Sequence, residues 1–289
     1  YSQPSVHAGT LMNRNHSAAQ WGFSRLIEDL QLQYDMISSE QVLNGELVEY
    51  QALFMSACSA ISSDEANVIR KFVGEGGLIV ADTLPGVLDD HCRLLEVGQL
   101  DDLFGIQRTG LPVRGNQPIQ LGGEETSLFV YDQGVKAVGA SARVADDAPA
   151  LLTHPFGKGR AALLNTAIES FESLHMARTT DPLTGFVQEL LFETGIQPQT
   201  YVIQDDQPLR DCEVVRFTDG KISYVALVRD NRIPGLQPED VTISLPQSLN
   251  VYDMRAKESL GRTASIQTQL LPGEPKVYAM FPYVVQGLS

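Results

Sequence analysis

Between residues 52 and 81 two short, wholly apolar runs flank one amphipathic segment, and few folds accommodate that order. Ala52-Leu53-Phe54-Met55 has no polar face, as befits a strand buried on both sides. Ser63-Asp64-Glu65 then caps a helix carrying Arg70, Phe72 and Val73, and Gly74 to Gly77 end it. Leu78-Ile79-Val80-Ala81 follows as a second buried strand. Strands alternating with helices in this way predict an α/β fold, a mostly parallel sheet with helices on both faces.

The flanking sequence extends that pattern. Trp21, Phe23, Leu26, Ile27 and Leu30 recur at helical spacing over residues 18–30, which assigns Trp21 to the core, and Tyr34-Asp35-Met36-Ile37 reads as a short strand. Tyr1-Ser2-Gln3-Pro4-Ser5 reads as the end of a strand entering a loop, so a larger preceding region is expected. Residues 106–160 change to short alternating runs split by glycines, a β-rich insertion, and Gly157-Lys158-Gly159-Arg160 turns into a further strand over 161–165. A closing helix runs from Pro182 to Thr194, with Gly195 after it.

After Pro198 the helical period is gone. Val214 to Phe217 and Ile222 to Val228, joined by Thr218-Asp219-Gly220-Lys221, make a β-hairpin. Further strands are expected at Val241–Leu245, Val251–Asp253, Ser265–Leu270 and Lys276–Phe281. The expected organisation is an α/β domain over 1–198 and an all-β sandwich over 199–289.

Charge narrows the partners. With 36 acidic and 21 basic side chains the net charge is -15, which repels nucleic acid and anionic membrane surfaces and leaves neutral ligands and proteins. No apolar run reaches the roughly twenty residues of a membrane helix, and no signal-like leader opens the chain, so a cytoplasmic location is expected. Cys58, Cys92 and Cys212 are too few and too scattered for a disulfide framework or a zinc cluster. No cofactor and no metal site is expected.

The chemistry-bearing residues form no familiar constellation. Gly74 to Gly77 follows a helix and precedes a strand, the reverse of a phosphate-binding loop. Cys58 follows a strand, but Ser56-Ala57-Cys58-Ser59 lacks the glycines of a nucleophile turn, and a small buried thiol is its commoner role. His7, His16, His91, His154 and His175 show no metal-binding spacing. Asp89-Asp90-His91, with Asp101 and Asp102 further on, could supply an acid and a base, although solvated loop carboxylates are more frequent. No catalytic residue is assigned; Gln3, His7, Asp82 and His91 are the candidates for hydrogen bonds to a neutral ligand.

Taken together, Tyr1 to Val6, Ile61-Ser62-Ser63-Asp64-Glu65, Phe72 to Gly77, Gly86 to His91, Leu100 to Gly105, Gly157 to Arg160 and Leu271 to Tyr278 resemble the middle and C-terminal domains of glycoside hydrolase family 42 β-galactosidases. The resemblance spans nearly the whole chain. It implies a flavodoxin-like trimerisation domain related to class I glutamine amidotransferases, followed by a β-sandwich, in a homo-oligomer such as a trimer. The catalytic glutamates of that family lie on a barrel outside this sequence. The amidotransferase relatives carry their cysteine at the turn after the strand equivalent to residues 78–81, where this chain has Asp82-Thr83-Leu84-Pro85-Gly86. The expected role is therefore a non-catalytic assembly module that mediates subunit contacts and walls a neighbour's sugar pocket, with galactosides or other neutral sugars as the ligand class. The alternative is a stand-alone carbohydrate-binding protein, or a hydrolase using strand-end carboxylates such as Asp82.

Overall fold

A computed structural model describes residues 2–109, 112–115, 118–121, 124–145, 148–178 and 182–285. The chain forms two compact units: Tyr1–Phe23, Asp35–Glu172 and Asp181–Ile196 in the first, and Ser24–Tyr34, Ser173–Thr180 and Gln197–Ser289 in the second.

The first unit opens with α1 (Gln3–Met12), not with the expected strand end. The Ser2 side chain accepts the Ser5 N–H, and proline in the first turn costs no hydrogen bond there, so the segment that reads as a loop is a helix start. Next come α2 (His16–Asp29) and α3 (Ser39–Leu43), the latter closed by a Ser38–Gln41 capping box. Trp21 departs from expectation, being 51% exposed. The buried stripe of α2 runs through Ala19, Phe23, Leu26 and Ile27 and is continued by Leu30 just past its end, and Trp21 lies about 200° around the helix from Ala19 and from Phe23. Tyr34 to Ile37 likewise forms no strand, having no sheet partner; β1 (Ala52–Met55) takes the sheet edge.

The strand–helix–strand unit follows the sequence closely. α4 (Ser63–Gly74) is opened by a reciprocal Ser62–Glu65 capping box, and β2 (Leu78–Ala81) pairs parallel to β1 in the register Ala52 to Leu78. The β-rich stretch contributes β3 (Ile106–Gln107), β4 (Pro118–Leu121), β5 (Glu124–Phe129), β6 (Lys136–Ala137), β7 (Ser141–Ala145) and β8 (Ala148–Phe156). Then come β9 (Gly159–Leu164), α5 (Phe171–Met176) and α6 (Pro182–Glu193). The main sheet has the order β1-β2-β9-β8-β7. It is mixed, because β9 is parallel to β2 while β8 and β7 are antiparallel. The cause is the tight turn at Gly157-Lys158: a two-residue link can only return a strand antiparallel, whereas the helical crossover between β1 and β2 enforces parallel pairing.

Alternation of side chains puts Leu53, Met55, Ile79, Ala81, Ala161 and Leu163 on the face covered by Ala66, Ile69 and Val73 of α4. Phe54 points to the other face, where Phe23 of α2 meets it edge-on at 5.4 Å. Gly159 is fixed by close approach, since a Cβ there would collide with the carbonyl oxygens of Val73 and Gly77.

The second unit is one antiparallel sheet, not two facing ones. Its strands are β10 (Tyr201–Gln204), β11 (Gln207–Pro208), β12 (Cys212–Asp219), β13 (Ile222–Arg229), β14 (Glu239–Asp253), β15 (Glu258–Leu270) and β16 (Lys276–Phe281). Two segments expected as separate strands are halves of β14. Its first half pairs with β10 and its second with β16, while β15 follows it along most of its length. The change of neighbour coincides with a register shift between Ser244 and Leu249, across the exposed Pro246-Gln247-Ser248. Val202, Val214, Val225, Leu227, Ile243 and Tyr278 share its core. The Gln31 side chain caps this sheet, donating to the Val202 and Leu209 carbonyls and accepting the Val202 N–H.

Candidate functional site

Ligand sites in α/β sheets gather where parallel strands end, so the carboxyl ends of β1, β2 and β9 define the candidate site. Asp82 is the first residue after β2, and its backbone N–H bonds the Met55 carbonyl at the end of β1 at 3.3 Å. Its side chain is 1% exposed and fully engaged: Oδ1 accepts the Ala57 N–H at 2.8 Å and Oδ2 accepts from Nη2 of Arg14. Arg14 enters from the turn between α1 and α2, held there by the left-handed cap residue Asn13 at φ 49°. Its guanidinium also donates from Nε to Glu169 Oε1 at 2.6 Å, from Nη2 to Glu169 Oε2 at 2.9 Å and from Nη1 to the Thr83 carbonyl at 3.1 Å. Thus one buried cation ties the α1–α2 turn to the ends of β2 and β9 through two carboxylates.

Aromatic stacking extends this cluster. The guanidinium carbons of Arg14 and Arg114 lie 5.2 and 4.5 Å from the centre of the Tyr131 ring. The Tyr131 hydroxyl donates to the Met12 carbonyl at 3.0 Å and accepts from Arg114 at 2.8 Å. Asn165, the residue after β9, spans Asp132 and Pro149: its side-chain amide donates to both carbonyls and accepts the Asp132 N–H. An open cavity of about 280 Å³ lies against this cluster, between Arg14, Arg114, Phe129, Thr166 and Glu169.

Electrostatics set what the cluster can do. Burial pushes the Asp82 carboxyl up to about 6, against the pull of Arg14. A carboxyl near that value suits proton transfer, but both oxygens of Asp82 are occupied and shielded, and a proton-transfer group needs access to a reacting atom. Burial pushes the Cys58 thiol up to about 12, so it is held as the unreactive thiol rather than the thiolate. The turn after β2 does hold a strained residue, but it is Leu84, buried at φ 60°, with no nucleophilic atom. The cluster is therefore built to bind segments together.

The residues singled out from sequence occupy three places. Gln3 and His7 meet one turn apart on α1, Nε2 to Nε2 at 3.0 Å, on an exposed face. Asp82 sits in the buried cluster. His91 is at the surface, its Nδ1 3.0 Å from Asp90, and Asp89 beside it accepts the His91 and Arg93 N–H groups. One ligand atom each from Asp89, Asp90 and His91 lies within 4.8 Å of the others, an arrangement common among exposed acidic groups. The residues that organise the site, Arg14, Glu169, Tyr131 and Arg114, were not foreseen. Only the isolated arginine between Asn13 and Asn15 offers a local cue, since its partners lie 68 and 155 residues away.

No curated protein matches the chain in sequence. Solved structures do match in fold. A β-galactosidase from Bacillus circulans sp. alkalophilus superposes with a TM-score of 0.66 at 17% identity, covering 93% of this chain and 38% of that one. A family 42 β-galactosidase from G. stearothermophilus gives 0.64 at 17% identity over 90% and 35%. A cold-adapted β-galactosidase from Rahnella sp. R3 gives 0.61 at 17% identity over 89% and 36%. The chain thus spans a little over a third of each of these enzymes. Among the described residues no helix is long and apolar enough to cross a membrane. The sequence profile of the β-galactosidase trimerisation domain fits residues 6–197, and the chain belongs to that family.

Proposed function

We propose that this chain is the assembly module of a β-galactosidase-like glycoside hydrolase, mediating contacts between subunits and walling a neighbour's sugar pocket without itself turning over substrate. The observation that carries the proposal is the trimerisation-domain match over residues 6–197. The buried cluster agrees with it, because its carboxylates serve Arg14 and its cysteine is held protonated. A flavodoxin-like, amidotransferase-like reading of the first domain draws support from three parallel strands with helices on both faces. The division at residue 198, the cytoplasmic location and the homotrimer belong to the same proposal. So do Gln3, His7 and His91 as the groups that meet neutral sugars, with Asp82 joining them only if a ligand displaces Arg14 or the Ala57 N–H from its oxygens.

Sedimentation of the purified chain at rising concentration tests the assembly role. A trimer is the expected species, and monomers persisting at high concentration argue against it. Assay on aryl galactosides tests the rest: turnover that disappears in Asp82→Asn would establish a hydrolase in place of an assembly module.

A further inference from the structure

The cavity at the carboxyl end of β9 is not used by the assembly reading. Three stretches line it: the α1–α2 turn with Asn13 and Arg14, the loop and strand end with Arg114 and Phe129, and the segment after β9 with Thr166, Glu169 and Ser170. Its volume of about 280 Å³ lies near the lower end of small-molecule pockets, which limits the occupant to a ring-sized molecule.

Two features point to a ligand. The first is Thr166, which is 1% exposed and whose hydroxyl has no hydrogen-bond partner among the described residues. A buried hydroxyl left unpaired is costly, and a ligand hydroxyl in the cavity it lines would satisfy it. The second is Arg114, which among the described residues donates from Nη2 to Asn13 and Tyr131 and is held against the cavity by stacking on Tyr131. Exposed Asn13 and Ser170 add hydrogen-bonding side chains at the rim.

The balance of charge selects the ligand class. Arg14 is paired with Asp82, which does not line the cavity, and with Glu169, which does; with Arg114 the cluster holds two cations against two anions and offers an ionic ligand no net countercharge. Phe129, 45% exposed, presents an apolar ring at the same cavity. Donors, acceptors and an aromatic ring around a small neutral space suit a molecule rich in hydroxyls with one apolar face. We propose that this cavity binds a single neutral sugar ring, held by Arg114 and Thr166, as a non-catalytic site separate from Gln3, His7 and His91.

Isothermal titration of the intact chain with D-galactose, D-glucose and D-galacturonate tests this. Saturable millimolar binding of a neutral sugar is expected, weaker binding of galacturonate, and an affinity loss of about fivefold to tenfold in Arg114→Gln and in Thr166→Val. Lys221→Ala, in the exposed turn between β12 and β13, should bind as the parent does. No saturation with either neutral sugar, tighter binding of galacturonate, or unchanged affinity in both cavity variants overturns the proposal. If circular dichroism shows that Thr166→Val does not fold, Ser170→Ala at the exposed rim takes its place and is expected to weaken binding. Assembly is read separately by sedimentation, so a trimer that binds no sugar defeats this inference alone.

Discussion

The two units solve the same problem with different cations. In the α/β unit a buried arginine, Arg14, joins segments far apart in sequence through Asp82 and Glu169. In the β unit Arg229 does likewise, donating to Asp211 at 3.0 Å and to the carbonyls of Gln237 and Leu270. There a histidine shares the work. His175 on α5 contacts Asp29 of α2 at 2.8 Å through Nδ1 and Asp230 at 3.5 Å through Nε2, and Asp29 also accepts the Asp211 N–H. An arginine keeps its charge at any ordinary pH, whereas a histidine does not, so part of the buried cationic support of the β unit can titrate.

Both units lose stability as pH rises, but in different windows. Burial raises the folded-state Asp82 carboxyl from 3.8 to about 6, so the folded chain binds that proton more tightly than the unfolded one. Stability from this group therefore falls between about pH 4 and pH 6 and is level above. For His175 burial acts downward, but the Asp29 hydrogen bond and the Asp29 and Asp230 charges outweigh burial and Arg25 and raise it above 6.5. Its contribution is complete below pH 6.5 and fades above that as the ring loses its proton.

Arg14→Leu strikes the comparison hardest, because it leaves two carboxylates without their buried cation. A loss of about 3–5 kcal/mol is expected by urea unfolding, with amide protection falling first in β1 and β2. If Arg14→Leu costs under about 1 kcal/mol, the ion pairs do not hold the α/β unit. Gly159→Ala should cost about 3 kcal/mol, since the new Cβ meets two backbone oxygens that cannot swing aside, and a near-neutral melt would deny that contact. His175→Gln sharpens the comparison: about 2 kcal/mol lost at pH 6, shrinking toward pH 8, with the parent's decline above pH 6.5 flattened. A parallel offset at every pH would assign His175 to packing alone. Ser62→Ala, which removes one half of the α4 capping box, should cost about 1 kcal/mol, measured by thermal melting.

What the sequence disclosed depended on how local the cause was. The start of α4 at Ser63-Asp64-Glu65, although its cap is Ser62 and not Ser63, the apolar runs of β1 and β2 and the Gly220 turn between β12 and β13 are each written within a few residues, and each is legible. Pairing over long separations is not: that β9 lies parallel beside β2, far away in the chain, is written in neither strand. Trp21 is deceptive because it falls among apolar residues in sequence yet lies on the opposite side of α2 from the buried Ala19 and Phe23. The candidate site was the least visible part. Asp82 was noticed from its place after a strand, while Arg14 and Glu169 become its neighbours only through folding.

β14 carries a consequence for how the β unit comes apart. Since a single chain segment is zipped to β10 before its kink and to β16 after it, the network offers no seam along which one half could peel away intact. A cut in the peptide at Pro246-Gln247-Ser248 would still leave β15 hydrogen-bonded to both halves, so the unit should melt as one even with β14 severed.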